Sequence, residues 1–398
     1  MGLAREVVIV DYLRSPFSRS RPKEPEKDLL NCWRMDEVLA MLWKELIKRN
    51  KLDPKEIDEA ITGTANPLLE NFTFGGKFPA FYGELPFEVA SEQVDMQCGS
   101  ALCGVRTGVM SIACGYSDVV LAGGIEHMTH IPMGGGGAIK YPDRLINDPQ
   151  YKKIDLMFSV NMGFTAQKLQ EMAGITREDM DKFAVRSHQL ASQGQKDGWF
   201  KGEIMPVEIT LADGSKQMFD YDAAVRGDST LEQLAGMKPA YKPDGTITAG
   251  TSSPLNAGAT AMLLMSREKA NKLGLKPMAS FVSFGVAGTD PTIMGEGPVP
   301  STKKALKAAG LQAKDIDYWE VNEAFAVVSL YAIKEFGLKW DQVNIHGGAM
   351  AIGHPLGASG IRLVGTLARI LKEKKGKYGC ATMCVGGGQG IAAIIKAE

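Results

Sequence analysis

Leu52-Asp-Pro-Lys-Glu-Ile-Asp58 returns about 260 residues later as Leu311-Gln-Ala-Lys-Asp-Ile-Asp317. Two more pairs follow in the same order at a similar offset. The turn that opens a Gly-, Ala- and Ser-rich stretch at Cys98 falls opposite the Gly357–Gly360 turn. Val119-Val-Leu-Ala-Gly-Gly124 falls opposite Ala381-Thr-Met-Cys-Val-Gly386. One match would be noise, but three in one order indicate an internal duplication. The first copy alternates strand-like with helix-like segments. Val7–Val10, Ile57–Thr64, Ala90–Met96 and Asp118–Ala122 read as strands, and Asp36–Ile47 and Gly99–Cys114 as helices. That alternation predicts an α/β fold with a largely parallel sheet.

Between the halves lies a segment of different character, with Gly134–Gly137, a helical Glu178–Gln195 and a charged turn at Ala212–Lys216. It reads as a lid or binding layer. The expected division is an N-terminal half over 1–124, completed by about 250–275, an insertion over 125–249, and a C-terminal half over 276–398.

With 398 residues, 44% hydrophobic and 23% charged, the chain is long enough for at least two cores. Its 45 basic and 46 acidic residues argue against nucleic acid as a partner, yet leave room for a local basic patch facing a small anion. The N-terminus carries no signal-peptide pattern and no apolar run reaches membrane-spanning length, so a cytoplasmic location and free thiols are expected. The spacings Cys98/Cys103 and Cys380/Cys384 fit no zinc site, and the 5 histidines complete none, so no metal is expected.

Four glycine-rich or turn-like blocks hold the reactive side chains. Cys98 lies in Gln97-Cys-Gly-Ser-Ala-Leu102, between a strand and a helix start, where free N–H groups and the helix dipole favour a thiolate. Cys384 opens Cys384-Val-Gly-Gly-Gly-Gln-Gly390. That run lacks the lysine of a phosphate loop but suits backbone N–H groups aimed at an oxyanion, with a thiol for proton transfer. His354 sits in Gly353-His-Pro-Leu-Gly-Ala-Ser-Gly360, held in a rigid turn. Asn322, in Asn322-Glu-Ala-Phe-Ala326, either caps the following helix or donates its amide to an oxyanion or a water.

In this order the four blocks resemble the signature motifs of the thiolase family. The likeness runs through Ala122-Gly-Gly-Ile-Glu-His-Met128 and Thr248-Ala-Gly-Thr-Ser-Ser253 and covers the chain. The closest likeness is to degradative 3-ketoacyl-CoA thiolases. The resemblance implies a five-layered α-β-α-β-α fold of two duplicated halves plus a loop domain that binds coenzyme A, which serves as co-substrate without any bound cofactor. It implies that Cys98 takes the acyl group with His354 as its base, and that Cys384 moves the second proton. Asn322 (through a water) and His354 would form one oxyanion hole, and the N–H groups of Cys98 and Gly386 the other. Arg226, Ser253 and Met162 match coenzyme A and substrate contacts. Family members are homodimers or homotetramers, and some pair with a hydratase–dehydrogenase subunit.

The chain departs from the family pattern at four places. Asn161 stands where acetoacetyl-CoA thiolases carry histidine, Asp95-Met96 stands where the family has asparagine and a basic residue, Ala257 replaces an aspartate, and Phe72–Phe87 lacks the family's Asn-x-Ala-Arg pattern and is, separately, rich in aromatics. An acid at 95, if buried, would oppose thiolate formation. The aromatic stretch reads as core or dimer-interface packing, or as a pocket for a bulky or aromatic acyl group. Other readings are an acetoacetyl-CoA thiolase and a non-catalytic acyl-CoA-binding subunit. A decarboxylating ketoacyl synthase fits poorly, since that class carries histidine where Asn322 stands and lacks a thiol like Cys384.

Overall fold

Asp58 and Asp317, the last residues of the repeated heptapeptides, act alike in the computed structural model, which describes residues 3–398. One carboxylate oxygen of Asp58 accepts from the N–H groups of Asp118 and Val119 at 2.8 and 2.9 Å. One oxygen of Asp317 accepts from those of Lys377 and Tyr378 at 2.7 and 3.0 Å. Each aspartate thus fixes the start of a parallel strand pair. The duplication is structural.

The main sheet has ten strands. Leaving aside the two-residue Ser18–Arg19 strand, they are β1 (Val7–Arg14), β2 (Glu59–Gly63), β3 (Ala90–Val94), β4 (Val119–His127), β5 (Asn256–Ser266), β6 (Ala279–Gly288), β7 (Tyr318–Val321), β8 (Tyr378–Val385) and β9 (Gln389–Ala397). Their order is β7-β8-β9-β6-β1-β5-β4-β2-β3. Only β3-β2-β4 and β7-β8 pair in parallel, so the sheet is mixed rather than largely parallel. The two halves join through two residue pairs, Val8 with Ser280 and Ile9 with Ala279. Glu59 faces Val120 as Tyr318 faces Gly379. Val119 therefore answers to Tyr378, three residues before the Ala381 suggested by the sequence match.

Five layers follow from which way the strand side chains point. Val7 and Ile9 of β1 enter a core shared with Ala381, Met383, Ile391 and Ala393 of β8 and β9. Their neighbours Val8 and Val10 enter an outer core with Leu39, Leu42, Trp43 and Leu46 of helix α1 (Met35–Arg49). Cys380, Cys384, Ala392 and Ile394 face the opposite outer core. Strands covered on both faces carry apolar side chains at successive positions, as these do. The shared layer is built on α2 (Ser100–Ala113) and, near the C-terminus, the helix Ser359–Lys374. A Cβ on Gly360 would lie 2.4 Å from the backbone nitrogen of Leu102, so these two helices meet backbone to backbone.

The insertion holds α3 (Met162–Ala173), α4 (Arg177–Lys196) and a hairpin of Val207–Thr210 with Lys216–Phe219, whose connection is the charged turn read from sequence. It is more than a lid. Leu169, Met180 and Phe183 complete the outer core of the C-terminal half, beside Trp319 and Val321 of β7. That core also holds α5 (Pro298–Ala309) and α6 (Ala326–Phe336); the Ser359–Lys374 helix is α7. Buried Arg14 of β1 ties the insertion down, with Glu203 and Asp222 each at 2.7 Å. Among the described residues, no helix is long and apolar enough to cross a membrane.

Candidate active site

Cys98 sits in the turn between β3 and α2, after a residue that few turns would tolerate. Gln97 has φ +46°, a left-handed conformation disfavoured for a side chain with a Cβ. The turn is held from three directions. The Gln97 N–H donates to Asp95 at 2.8 Å, the Gln97 amide donates to Ala65 O at 3.1 Å, and Met96 N–H donates to the Ser100 hydroxyl at 2.9 Å. The backbone N–H groups of Cys98 itself and of Gly386, which follows the end of β8, lie near the Cys98 sulfur and favour its thiolate. The repeat thus brings the two cysteine blocks together across the shared layer.

Burial, rather than the helix terminus, decides the state of the nucleophile. It pushes the Cys98 thiol up to about 11 despite those two N–H groups, and the nearby Glu126 and Asp95 carboxylates add to the rise. The helix-start argument for a resting thiolate therefore fails. Asp95 is solvent-exposed, and its carboxylate shapes the turn while weakly opposing the thiolate. Cys384 is fully buried at the end of β8. Burial and the adjacent Cys98 raise its thiol further still. Both cysteines rest protonated.

His354 is held at two points. Its backbone N–H donates to the Asn256 side chain at 2.8 Å, and Gly353 before it takes φ +119°, where a Cβ would meet that same amide. On the ring, Nδ1 lies 2.6 Å from the Ser359 hydroxyl, which itself donates to Pro355 O at 2.9 Å. A hydroxyl has one proton to give, so the network assigns the hydrogen on Nδ1 to the ring and leaves Nε2 a lone pair. Asn322 Nδ2 approaches Nε2 at 3.3 Å. Burial, with Arg362 nearby, pushes the imidazole down to about 3, so His354 is neutral and can accept a proton.

Asn322 does not cap a helix. Helix α6 starts at Ala326 with Phe325 as its N-cap, and the Asn322 Oδ1 is buried without a partner. The cap reading is thereby corrected, and the Asn322 amide lies beside the His354 ring instead.

Two cavities flank this cluster. One of about 410 Å³ opens over Cys98 and Gly386, and its apolar walls include Leu68, Met133, Ile139, Tyr141, Met162 and Leu356. The second, of about 420 Å³, carries Arg226 with Arg19, His188, Ser252 and Met350. Tyr241 lies nearby. Its ring lies against Gly163, where a Cβ would be 2.1 Å away. Ser253 does not line this cavity, because its backbone bonds Ala324 O and the neighbouring Ser252 takes the wall position. Asn161 caps α3, accepting from Phe164 N–H.

None of the aromatics at Phe72–Phe87 lines the Cys98 cavity. Phe74 is 63% and Phe87 87% exposed, so the aromatic-pocket and core readings of that stretch are both corrected. The chain instead turns these residues outward, around a short helix at Lys77–Tyr82 outside edge strand β3.

Sequence reading missed Ser359, Asn256 and Glu126. Glu126 is buried and accepts from Ala65 N–H, Gly357 N–H and the Asn71 amide at 2.9, 3.0 and 2.7 Å, joining the cavity wall to the His354 turn. Burial pushes its carboxyl up to about 7, against those donors. The signal was present in the Gly-Gly-Ile-Glu-His-Met block, but its partners are distant in sequence.

Comparison with known proteins points the same way. A family model for the thiolase N-terminal domain matches residues 7–268, and one for the thiolase C-terminal domain matches 275–397. A 3-ketoacyl-CoA thiolase of Marinobacter nauticus is 44% identical over 395 residues, 98% of each chain. One from a Marinomonas species is 43% identical over 396 residues, again 98% of each. Human mitochondrial 3-ketoacyl-CoA thiolase, solved in complex with CoA, superposes with a TM-score of 0.89 at 33% identity, covering 100% of this chain and 99% of the other. The Bacillus anthracis acetyl-CoA acetyltransferase gives 0.88 at 35% identity, covering 99% of each chain. With paired thiols, a neutral histidine and a duplicated α/β frame already in place, these matches along the whole length mean that the chain belongs to the thiolase family.

Proposed function

We propose that this enzyme cleaves 3-ketoacyl-CoA with coenzyme A, releasing acetyl-CoA and a shortened acyl-CoA, and that Cys98, His354, Cys384, Asn322 and Gly386 carry the reaction. The Cys98 sulfur attacks the 3-keto carbon while its proton passes to His354 Nε2. The bond between C2 and C3 breaks, and its electron pair leaves as the acetyl-CoA enolate. Cys384 gives its proton to C2. The thiol of coenzyme A then attacks the acyl-Cys98 thioester, its proton restores Cys384, and His354 returns a proton to Cys98. Every atom balances, and the reverse sequence is a Claisen condensation.

The observation that carries this reading is geometric: Asn322 Nδ2 lies 3.3 Å from His354 Nε2, Ser359 holds the other ring nitrogen at 2.6 Å, and Cys98 and Gly386 open together on one apolar cavity. Two thiols held neutral and one histidine held neutral form a site in which protons move only as bonds form and break. The Asn322 amide with His354 serves one developing oxyanion, and the N–H groups of Cys98 and Gly386 serve the other. Preorganised donors of this kind are worth roughly 3–4 kcal/mol each in the transition state.

The apolar cavity over Cys98 favours acyl groups larger than acetyl over a dedicated acetoacetyl-CoA reaction. Coenzyme A would reach Cys98 from the Arg226 cavity past Tyr241, with residues 125–249 supplying much of that path. Met162 borders the acyl side. Edge strand β3 with its exposed aromatics supports a homodimer formed through that face. The test is turnover of acetoacetyl-, medium-chain and aryl 3-ketoacyl-CoA in the presence of coenzyme A. Preference for a medium-chain member supports the reading. Cleavage of none of them overturns it.

A further inference from the structure

His354 is held between two elements. Asn322 stands at one ring nitrogen and Ser359 at the other, at 3.3 and 2.6 Å. Asn322 directly follows β7, and its N–H still donates to Thr382 O at 3.0 Å, so the alternation of the strand continues through it. Glu320, two residues earlier, therefore points to the same face as Asn322, while Trp319 and Val321 enter the outer core behind. Ser359 opens α7, and Arg362, three residues on, lies on the same side of that helix. The Arg362 guanidinium donates to a Glu320 carboxyl oxygen, and both side chains are fully buried. Two rungs thus join β7 to α7. One is Asn322–His354–Ser359, and its neighbour is Glu320–Arg362. Neither Glu320 nor Arg362 lines the Cys98 cavity or the Arg226 cavity.

The second rung does little for stability. Among the described residues, Glu320 Oε1 and Arg362 Nε and Nη2 have no hydrogen-bond partner. Burial pushes the Glu320 carboxyl up to about 8, further than Arg362 draws it down, and Glu323 and Glu203 add to the rise. A buried pair with so few hydrogen bonds recovers little of its desolvation cost, and an apolar pair of similar volume would stabilise the fold as well or better. What a directional hydrogen bond adds is a fixed distance between strand and helix. Arg362 also lies close enough to the ring that its charge, after burial, helps to keep the imidazole neutral.

We propose that Glu320 and Arg362 are positioning residues: by fixing the spacing of β7 and α7, they hold Asn322 and Ser359 against the two nitrogens of His354. This rests on the thiolase reading above and adds a layer of support behind the reacting atoms.

Variants can separate positioning from stability. Arg362→Met leaves Glu320 buried without its donor and should lower both the unfolding midpoint and kcat. Adding Glu320→Leu makes the pair apolar at similar volume and should return the midpoint to near that of the parent. Its kcat should nevertheless stay about tenfold or more below the parent's, with KM within about twofold, because a displaced base slows turnover without loosening substrate. Arg362→Lys keeps the charge but not the reach of the fork, and should lower kcat by about threefold or more without unfolding the protein. Glu320→Gln keeps an oxygen for Arg362 and should keep most of kcat. Nitrogen NMR spectra of histidine-labelled protein, assigned with His354→Asn, need no turnover. The parent should show His354 as the neutral Nδ1–H tautomer, and the double variant should populate both tautomers. A kcat within about twofold of the parent's in Arg362→Lys or in a folded double variant, a kcat that tracks the unfolding midpoint, or an unchanged His354 spectrum overturns the proposal. Thiolysis by the parent would still stand in each case. Absence of thiolysis in the parent, with the tautomers disturbed in the double variant, would instead overturn the function and leave the positioning role.

Discussion

His354 can serve as a base only while Nε2 keeps its lone pair, and Ser359 decides that by accepting from Nδ1. Ser359→Ala should lower kcat by about ten- to a hundredfold with little change in KM, and Ser359→Thr should restore most of the loss. Equal effects on kcat and KM, without rescue by threonine, would indicate a merely structural role. The protonation states give a second prediction. With the thiol pushed up to about 11, an unassisted Cys98 is about one part in a thousand thiolate at pH 8, gaining tenfold per pH unit. In His354→Asn, alkylation of Cys98 by iodoacetamide should therefore keep rising from pH 7 to pH 9. A plateau below pH 8 would mean that the thiolate is already formed. The imidazole, lowered to about 3, loses its lone pair only in strong acid, so in the parent the acid limb of kcat/KM falls well below the ordinary histidine range near 6.5. Cys98, His354 and Cys384 stood out in the sequence as candidates because each stands in a glycine-rich block. Their supports did not. Ser359 was in plain view five residues beyond His354, but only the turn geometry brings its hydroxyl to the ring. The resting state of Cys98 was misread because a helix start is visible in a sequence, whereas depth of burial depends on the whole fold.

At the scale of elements, the repeated aspartates offer a matched pair of tests. Each accepts two backbone N–H groups at the start of a parallel strand, and each is solvent-exposed, so Asp58→Ala and Asp317→Ala should each cost about 1–2 kcal/mol in urea unfolding. Asn at either position should recover part of the loss. A cost at one site alone would mean that the repeat has lost its shared role. The meeting of α2 and α7 is less forgiving. Gly360→Ala drives a Cβ into the Leu102 backbone, and should cost about 3 kcal/mol along with activity, since these helices follow Cys98 and carry Ser359. Sequence periodicity placed α1, α2 and β3 to within a few residues. It missed the length of β4, read as Asp118–Ala122 but running to His127, because Gly123 and Gly124 look like a turn. In the fold, Gly124 lets the strand pass close to Gly357 O, where a Cβ would lie 2.5 Å away.

At the scale of the whole molecule, the duplicated halves were legible from three short matches, yet neither the mixed sheet nor the outward-facing aromatics were. Strand direction depends on connections that local pattern does not encode, and an aromatic run is equally consistent with core, cavity or surface. Edge strand β3 and the exposed Phe74 and Phe87 are expected to join two copies. Phe74→Glu with Phe87→Glu should convert a dimer to a monomer in sedimentation, and a monomeric parent at micromolar concentration would contradict that interface. The central claim concerns Cys98, and intact-protein mass spectrometry tests it most directly. On mixing with a 3-ketoacyl-CoA in the absence of free coenzyme A, the parent should gain the mass of the shortened acyl group on the Cys98 peptide. Added coenzyme A should remove that mass, and Cys98→Ala should never acquire it. No adduct in the parent, or the same adduct in Cys98→Ala, would contradict the account.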